Sequence, residues 1–192
     1  MNQKNMHTIL LIMTSVFCLL NQSANAESMS CNARQSSFDC MVCNCYHETR
    51  GESQEGKIAV AKTVLSRAES KSFPGTVCKV VYQPWQFSWT RDRHSDNINA
   101  KSFIDNRSLK DCRAAVDKAI DEGPNGLIFF YNPRAVSPAW AKRVKSCGKV
   151  GRHIFLVPHG KKCPKSLGSN PEHSSSQKEE DNAPRSSDGG SR

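Results

Sequence analysis

The chain has 192 residues, 27 of them Lys or Arg against 18 Asp or Glu, so its formal net charge is +9. A surface of that sign gathers near polyanions such as nucleic acid, an anionic membrane or a bacterial cell wall. The longest apolar run, "ILLIMTSVFCLL", is too short for a membrane span, which needs roughly 20 residues, and no RNP-like or helix-turn-helix motif supports a nucleic-acid role.

Residues 1–26 read as a secretory signal peptide. Lys4 gives the positive start, the apolar run the middle, and "ANA" at Ala24 to Ala26 the small-residue cleavage site. The mature chain then begins near Glu27, exported to the periplasm or the exterior, with no stable membrane anchor. Cys18 leaves with the leader, and eight cysteines remain: Cys31, Cys40, Cys43, Cys45, Cys78, Cys112, Cys147 and Cys163. An even number in an exported chain predicts a disulfide framework of up to four bridges, whose pairing the sequence leaves open. "CMVCNC" offers three sulfurs in six residues, but no second CxxC or HxxxH follows to complete a zinc site. No metal and no cofactor is expected.

Asp39 to Glu48 is a short candidate helix leading into "HETRGE", residues 47–52. Next, "SQEGKIAVAKTVLSRAES" places Ile58, Ala61, Leu65 and Ala68 at helical spacing, with Val60 and Val64 on an adjoining stripe and Ser53 at the start. "FPGTV" ends that helix. "KVVYQPWQFSW" is an apolar and aromatic stretch broken by Pro84. The segment "SLKDCRAAVDKAIDEG" predicts a helix with Ser108 as N-cap, an apolar face of Cys112, Ala115, Val116, Ala119 and Ile120, and Gly123 as its stop. "LIFFYNP" and "RHIFLVP" read as short extended runs. From Lys165 the chain is Ser, charge, Gly and Pro with one large aliphatic residue, Leu167, which predicts a disordered tail over 165–192. One domain, 27–164, remains, with 22 Lys and Arg against 13 acids. Its pattern is α+β and mainly helical, without the alternation that implies a parallel sheet.

The chemistry concentrates in "HETRGE". Gly51 accepts dihedrals that other residues avoid, so a helix should end near Glu48 and turn before the next begins. That leaves Glu48 facing a cleft, where a carboxyl kept from water has its proton affinity raised and suits a general acid. Glu52, past the turn, is placed to pair with Arg50 or to cap the next helix. Composition alone allows both acids to be solvated surface charges.

The ordered motifs "HETRGESQEGKIAVAKTVLSR", "FPGTVCKVVYQPWQFS", "LIFFYNP" and "GRHIF" resemble the spore-cortex-lytic type of cell wall hydrolase over about residues 39–158. The resemblance implies a small lysozyme-like fold, akin to soluble lytic transglycosylases and goose-type lysozyme, here disulfide-stapled. It implies an enzyme that cleaves peptidoglycan glycan strands between N-acetylmuramic acid and N-acetylglucosamine. The matching catalytic acid is Glu48, which would protonate the glycosidic oxygen and then take the proton of the muramic acid C6 hydroxyl, giving a 1,6-anhydro product. It also implies substrate-binding roles for Gln86, Phe87 and Ser88 in "QFS" and for Tyr131 and Asn132 in "FYNP". His153 would lie behind the site. Thr49 and Ser66 depart from the family's usual Ala and Asn. The protein is expected as a monomer. A non-catalytic, disulfide-rich wall-binding module is the alternative reading, and a Cys45/His47 peptidase dyad a more remote one.

Overall fold

Three cysteines on one helix organise the helical half of the molecule. The computed structural model describes residues 27–167 apart from 93 and 95; the expected signal peptide, 1–26, and residues 168–192 of the expected tail lie outside the described residues. Helix α1 (Ser37–Thr49) starts where the Ser36 side chain accepts the Asp39 amide, and it carries Cys40, Cys43 and Cys45. These bond to Cys78, Cys31 and Cys112 respectively, while Cys147 bonds to Cys163. The "CMVCNC" cluster is therefore no chelate: each sulfur ties α1 to a different segment.

Helix α2 (Gln54–Glu69) is capped by Ser53, whose side chain accepts the Gly56 amide. Its burial is wider than the expected stripe. Ile58, Val60, Ala61 and Val64 are buried, but so are Ala59, Thr63, Ser66 and three cations, Lys57, Lys62 and Arg67, whereas Leu65 and Ala68 are only partly covered. A helix buried almost all round is a central helix. Its cations stay because they are partnered. Lys57 Nζ donates to the Glu52 carbonyl at 2.8 Å, Lys62 pairs with Glu122 at 2.5 Å, and Arg67 Nε donates to the Ile128 carbonyl at 2.8 Å.

The stretch "KVVYQPWQFSW" is not extended. It forms the five-residue helix α3 (Val77–Val81), a tight turn and a 3-10 turn over Ser88–Thr90. Helix α4 (Phe103–Glu122) begins a turn and a half before the expected Ser108. Its N-cap is Ser102, which accepts the Asp105 amide and donates to the Asp105 carboxylate, while Ser108 is buried inside the helix. Phe103 and Ile104 face solvent, so apolar periodicity gave no sign of that first turn. Gly123 ends the helix at φ 71°, as expected, but Ile120 is exposed rather than part of the buried face.

Two strands, β1 (Glu27–Met29) and β2 (Ile98–Ala100), pair antiparallel beside the helices. A second antiparallel sheet has the order β3-β5-β4, with β3 Phe129–Tyr131, β4 Val144–Val150 and β5 His153–Pro158, and a bulge at Ser146/Gly148. The large core cluster lies among the helices. A smaller one of Ala59, Val60, Leu127, Phe155 and Val157 glues α2 to the sheet, with Phe130 touching both. Leu167, expected in the tail, packs against this second cluster beside Gly148. The fold is thus the α+β, mainly helical arrangement with short strands and disulfide staples.

Besides that cluster, one carboxylate joins the two halves. Glu52 does not pair with Arg50, which reaches Asp105 instead. Glu52 accepts the Arg152 amide at 2.9 Å through Oε2 and the Arg152 side chain through Oε1, so the α1–α2 turn is clamped to the β4–β5 turn. Gly151 makes room: a Cβ there would lie 2.1 Å from Glu52 Oε2, and its φ is 56°.

Three outcomes follow for denaturant unfolding. Replacing both Cys45 and Cys112 by Ala opens a loop of sequence separation 67 and should lower stability by about 4 kcal/mol. Gly151→Ala should cost at least ~2 kcal/mol through the clash and the backbone strain, and Glu52→Gln about 2 kcal/mol through lost charge-assisted bonds; unchanged midpoints in both would show that the clamp does not hold the halves together.

Candidate active site

Helix α1 ends where the sequence places its glycine. The last helical residue is Thr49, Gly51 turns the chain at φ 83°, and Glu48 is left one residue from the helix end. Thr49, the departure from the family's usual Ala, is fully buried, and its hydroxyl donates to the Cys45 carbonyl. That bond seals the last turn from within, so the hydroxyl needs no water there.

Glu48 lines an open cleft of about 760 Å³ together with Arg67, Trp85, Gln86, Phe87, Ser88, Tyr131, Asn132 and His153. All six residues singled out from the sequence, Glu48, Gln86, Phe87, Ser88, Tyr131 and Asn132, are therefore brought to one cavity. They come from three regions: the end of α1, the turn after α3, and the end of β3.

Within the cleft their situations differ. Ser88 is exposed and Gln86, Tyr131 and Asn132 are half-buried, whereas Phe87 is only 2% exposed and underlies the Arg67 guanidinium, 5.3 Å from its ring centroid. Tyr131 packs edge-on to Trp140. Asn132 Oδ1 accepts the Arg134 amide at 3.0 Å, which shapes the following turn. Among the described residues neither hydrogen-bonds the Glu48 carboxyl, which has no hydrogen-bond or ion-pair partner of its own.

That isolation sets the electrostatics. Burial pushes the Glu48 pKa up to about 7, and the positive charge of Arg67 only partly opposes it. Burial likewise lowers Arg67 to about 10, against the pull of Glu48. The second acid of the motif behaves in the opposite way. Burial alone would raise the Glu52 carboxyl, but the hydrogen bonds and charge of Arg152, with His153, override it and hold the pKa below its ordinary value. One carboxyl can hold a proton near neutrality and the other cannot.

Three lining residues were not legible as site residues. Arg67 looks like an ordinary helix charge, yet it is 6% exposed and its Nη1 has no partner among the described residues. Asp92 lies in a loop without periodicity. His153, placed behind the site by its motif, reaches the cleft itself; its Nδ1 is 3.9 Å from Glu52 and its ring meets Phe130 edge-on at 5.2 Å. Its pKa is lowered, first by burial. His47, given no role from sequence, accepts none in the cleft either: its Nε2 meets the Asp96 carbonyl at 2.9 Å and its ring stacks on Trp89. The Cys45/His47 dyad fails because Cys45 is bridged to Cys112.

Comparison with known proteins places the chain in a family. The model of the family described as cell wall hydrolase matches residues 51–156, a span that opens three residues after Glu48, includes every other cleft residue named above and contains none of α1. Spore cortex-lytic enzyme of Bacillus cereus is 30% identical over 125 residues, covering 63% of this chain and 44% of the relative. That of Bacillus subtilis (strain 168) is 29% identical over 112 residues, covering 57% and 34%. The chain thus spans less than half the length of these curated relatives. Among solved structures, the catalytic domain of the germination-specific lytic transglycosylase SleB from Bacillus anthracis superposes with a TM-score of 0.51 at 29% identity, over 64% of this chain and 94% of that domain.

The raised Glu48 pKa has a consequence for stability. Below about pH 4.5 folded and unfolded chains both carry the proton; as pH rises toward 7 the unfolded chain ionises first, so stability falls across that window, by roughly 3 kcal/mol in all. Glu48→Gln removes the effect. Its melting temperature should match the parent at about pH 4 and exceed it at about pH 8, and equal values at both would mean that Glu48 is not held away from water.

Proposed function

The chain belongs to the cell wall hydrolase family, and from that premise we propose that it is an exported lytic transglycosylase acting on the glycan strands of peptidoglycan, with Glu48 as its single acid and base. The observation that carries the reading is the Glu48 carboxyl, without a hydrogen-bond or ion-pair partner among the described residues, partly buried and with its pKa pushed up to about 7, on the lining of a cleft roomy enough for several sugar atoms at once. A group with that pKa both gives and accepts a proton near neutral pH.

The reaction proceeds in two proton transfers. Glu48 gives its proton to the glycosidic oxygen as the bond to the muramic acid anomeric carbon breaks, and the leaving sugar departs as an alcohol. The Glu48 carboxylate then removes the proton of the C6 hydroxyl, whose oxygen closes on the same carbon, and the enzyme ends as it began. No water is consumed. Gln86, Ser88 and Asn132 offer hydrogen-bonding groups to the strand, and Phe87 supports Arg67 from below. The basic surface draws the protein toward an anionic wall, and four disulfides suit an oxidising compartment such as the periplasm or exterior.

Asp92 on the same lining favours a second reading, hydrolysis, in which one carboxyl donates the proton and another activates water. Digestion of purified peptidoglycan separates these. The parent should release fragments with anhydro ends, whereas reducing ends would assign hydrolysis; Glu48→Gln should lose at least ~10² in rate. The rate should also decline above about pH 7 as Glu48 ionises. If Glu48→Gln releases the same fragments at the same rate, the acid is elsewhere, and if the parent binds sacculi without releasing any, the protein is a wall-binding module.

A further inference from the structure

Gln83 to Gln86 form a turn closed by the Gln86 amide donating to the Gln83 carbonyl at 3.2 Å. Pro84 is its second residue, and the third has φ 70°. Turns with Pro second and positive φ third call for Gly at the third place, because a Cβ there is crowded by the backbone. The residue present is Trp85, the one non-Gly residue with positive φ among the described residues. It is also 81% exposed, so the ring gains little from burial. A bulky aromatic in a glycine position, turned to solvent, contributes nothing to folding that would explain it; strain of this kind gathers where a side chain is needed for a ligand.

Its surroundings say which ligand. Trp85 lines the same cleft as Glu48, and the Arg91 guanidinium lies over its ring at 4.1 Å from the centroid. That contact covers one face and steadies the indole, while its exposure leaves the other face open. The other two tryptophans are less free to offer a face: Trp89 is 5% exposed and donates to Asn44 Oδ1, and Trp140, although it also lines the cleft, packs on Phe129 and Tyr131. Val136, half exposed, is a further apolar group on the lining. A flat, uncharged indole face meets the C–H face of a pyranose well, and makes no comparable match with an anion or a peptide strand.

We propose that Trp85 is a sugar-stacking platform on the lip of the cleft, held in place by the turn and by Arg91, and that it fixes one pyranose of the strand relative to Glu48. The proposal rests on the glycan-strand reading of this cleft.

The test uses the Glu48→Gln protein, so that nothing is cleaved, and peptide-free peptidoglycan glycan fragments titrated calorimetrically. Adding Trp85→Ala should weaken binding about tenfold, while Trp85→Tyr should stay within about threefold. The parent's tryptophan emission should shift to the blue on binding, and that shift should vanish in Trp85→Tyr although binding persists. Trp85→Gly should bind as weakly as Trp85→Ala yet melt a few degrees higher, because glycine suits the turn. If Trp85→Ala binds as tightly as its parent, the platform is overturned and the glycan reading stands; if the Glu48→Gln parent binds no fragment, the glycan reading falls and the platform with it. A Trp85→Gly melting temperature equal to or below the parent's would overturn the argument that the residue is kept against the preference of its turn.

Discussion

The clamp at Glu52 is the constraint on which the cleft depends. Glu48 belongs to the helical half and Tyr131, Asn132 and His153 to the sheet, so the cavity between them exists only while the halves hold one relative position. A single buried carboxylate, its side chain 2% exposed, fixes the turn before α2 to the turn before β5. Because one of its bonds goes to a backbone amide and the neighbouring residue has to be Gly151, the geometry admits little sliding. Lys57 reinforces it from the carbonyl side of the same residue. The two acids of "HETRGE" thus differ: one is neutralised by partners and carries structure, the other has no hydrogen-bond or ion-pair partner among the described residues and, on the proposed reading, carries the chemistry.

That division explains why Arg67 stands near Glu48 without pairing with it. A direct ion pair would favour the carboxylate and take away the proton that an acid must hold. Arg67 is instead engaged by the Ile128 carbonyl and sandwiched by Phe73 and Phe87, at 5.3 Å from each ring centroid. Its charge then moderates the effect of burial instead of cancelling it, and the carboxyl settles close to neutrality. The geometry of the aromatic residues thereby reaches the titration of Glu48 through Arg67.

Much of this was legible in the sequence, and the misses share a cause. Local rules found the end of α1, the Ser53 cap and the Gly123 stop, since each depends on one residue's backbone preference. The ordered motifs brought Glu48 and five cleft residues together. What local pattern could not supply was the partner of any charge. Glu52 was matched with Arg50 because they are neighbours in sequence, whereas its partner lies 100 residues away. Apolar periodicity says nothing of Lys57 or Arg67, because burial around α2 is decided by its neighbours, α4 above all, and by the sheet. The start of α4 was missed for the complementary reason: Phe103 and Ile104 are exposed, so an apolar pattern pointed away from the cap that hydrogen bonding sets at Ser102.

The disulfides complete the argument, since they offset the polar interior that the site needs. Asn44, Glu52, Lys57, Lys62 and Arg67 are all buried in a domain of modest size, and each forgoes hydration that an apolar side chain would not miss. Leucine in those places would leave their hydrogen-bond and ion-pair partners unsatisfied and abolish the arrangement around Glu48. Cross-links act differently, because they chiefly narrow the unfolded ensemble and ask nothing of the cleft. Three of the four meet on the helix that bears Glu48, so the stabilisation is concentrated where the carboxyl is most costly to bury. The helix end can then keep a proton-holding group at the edge of water without needing a partner to hold it there.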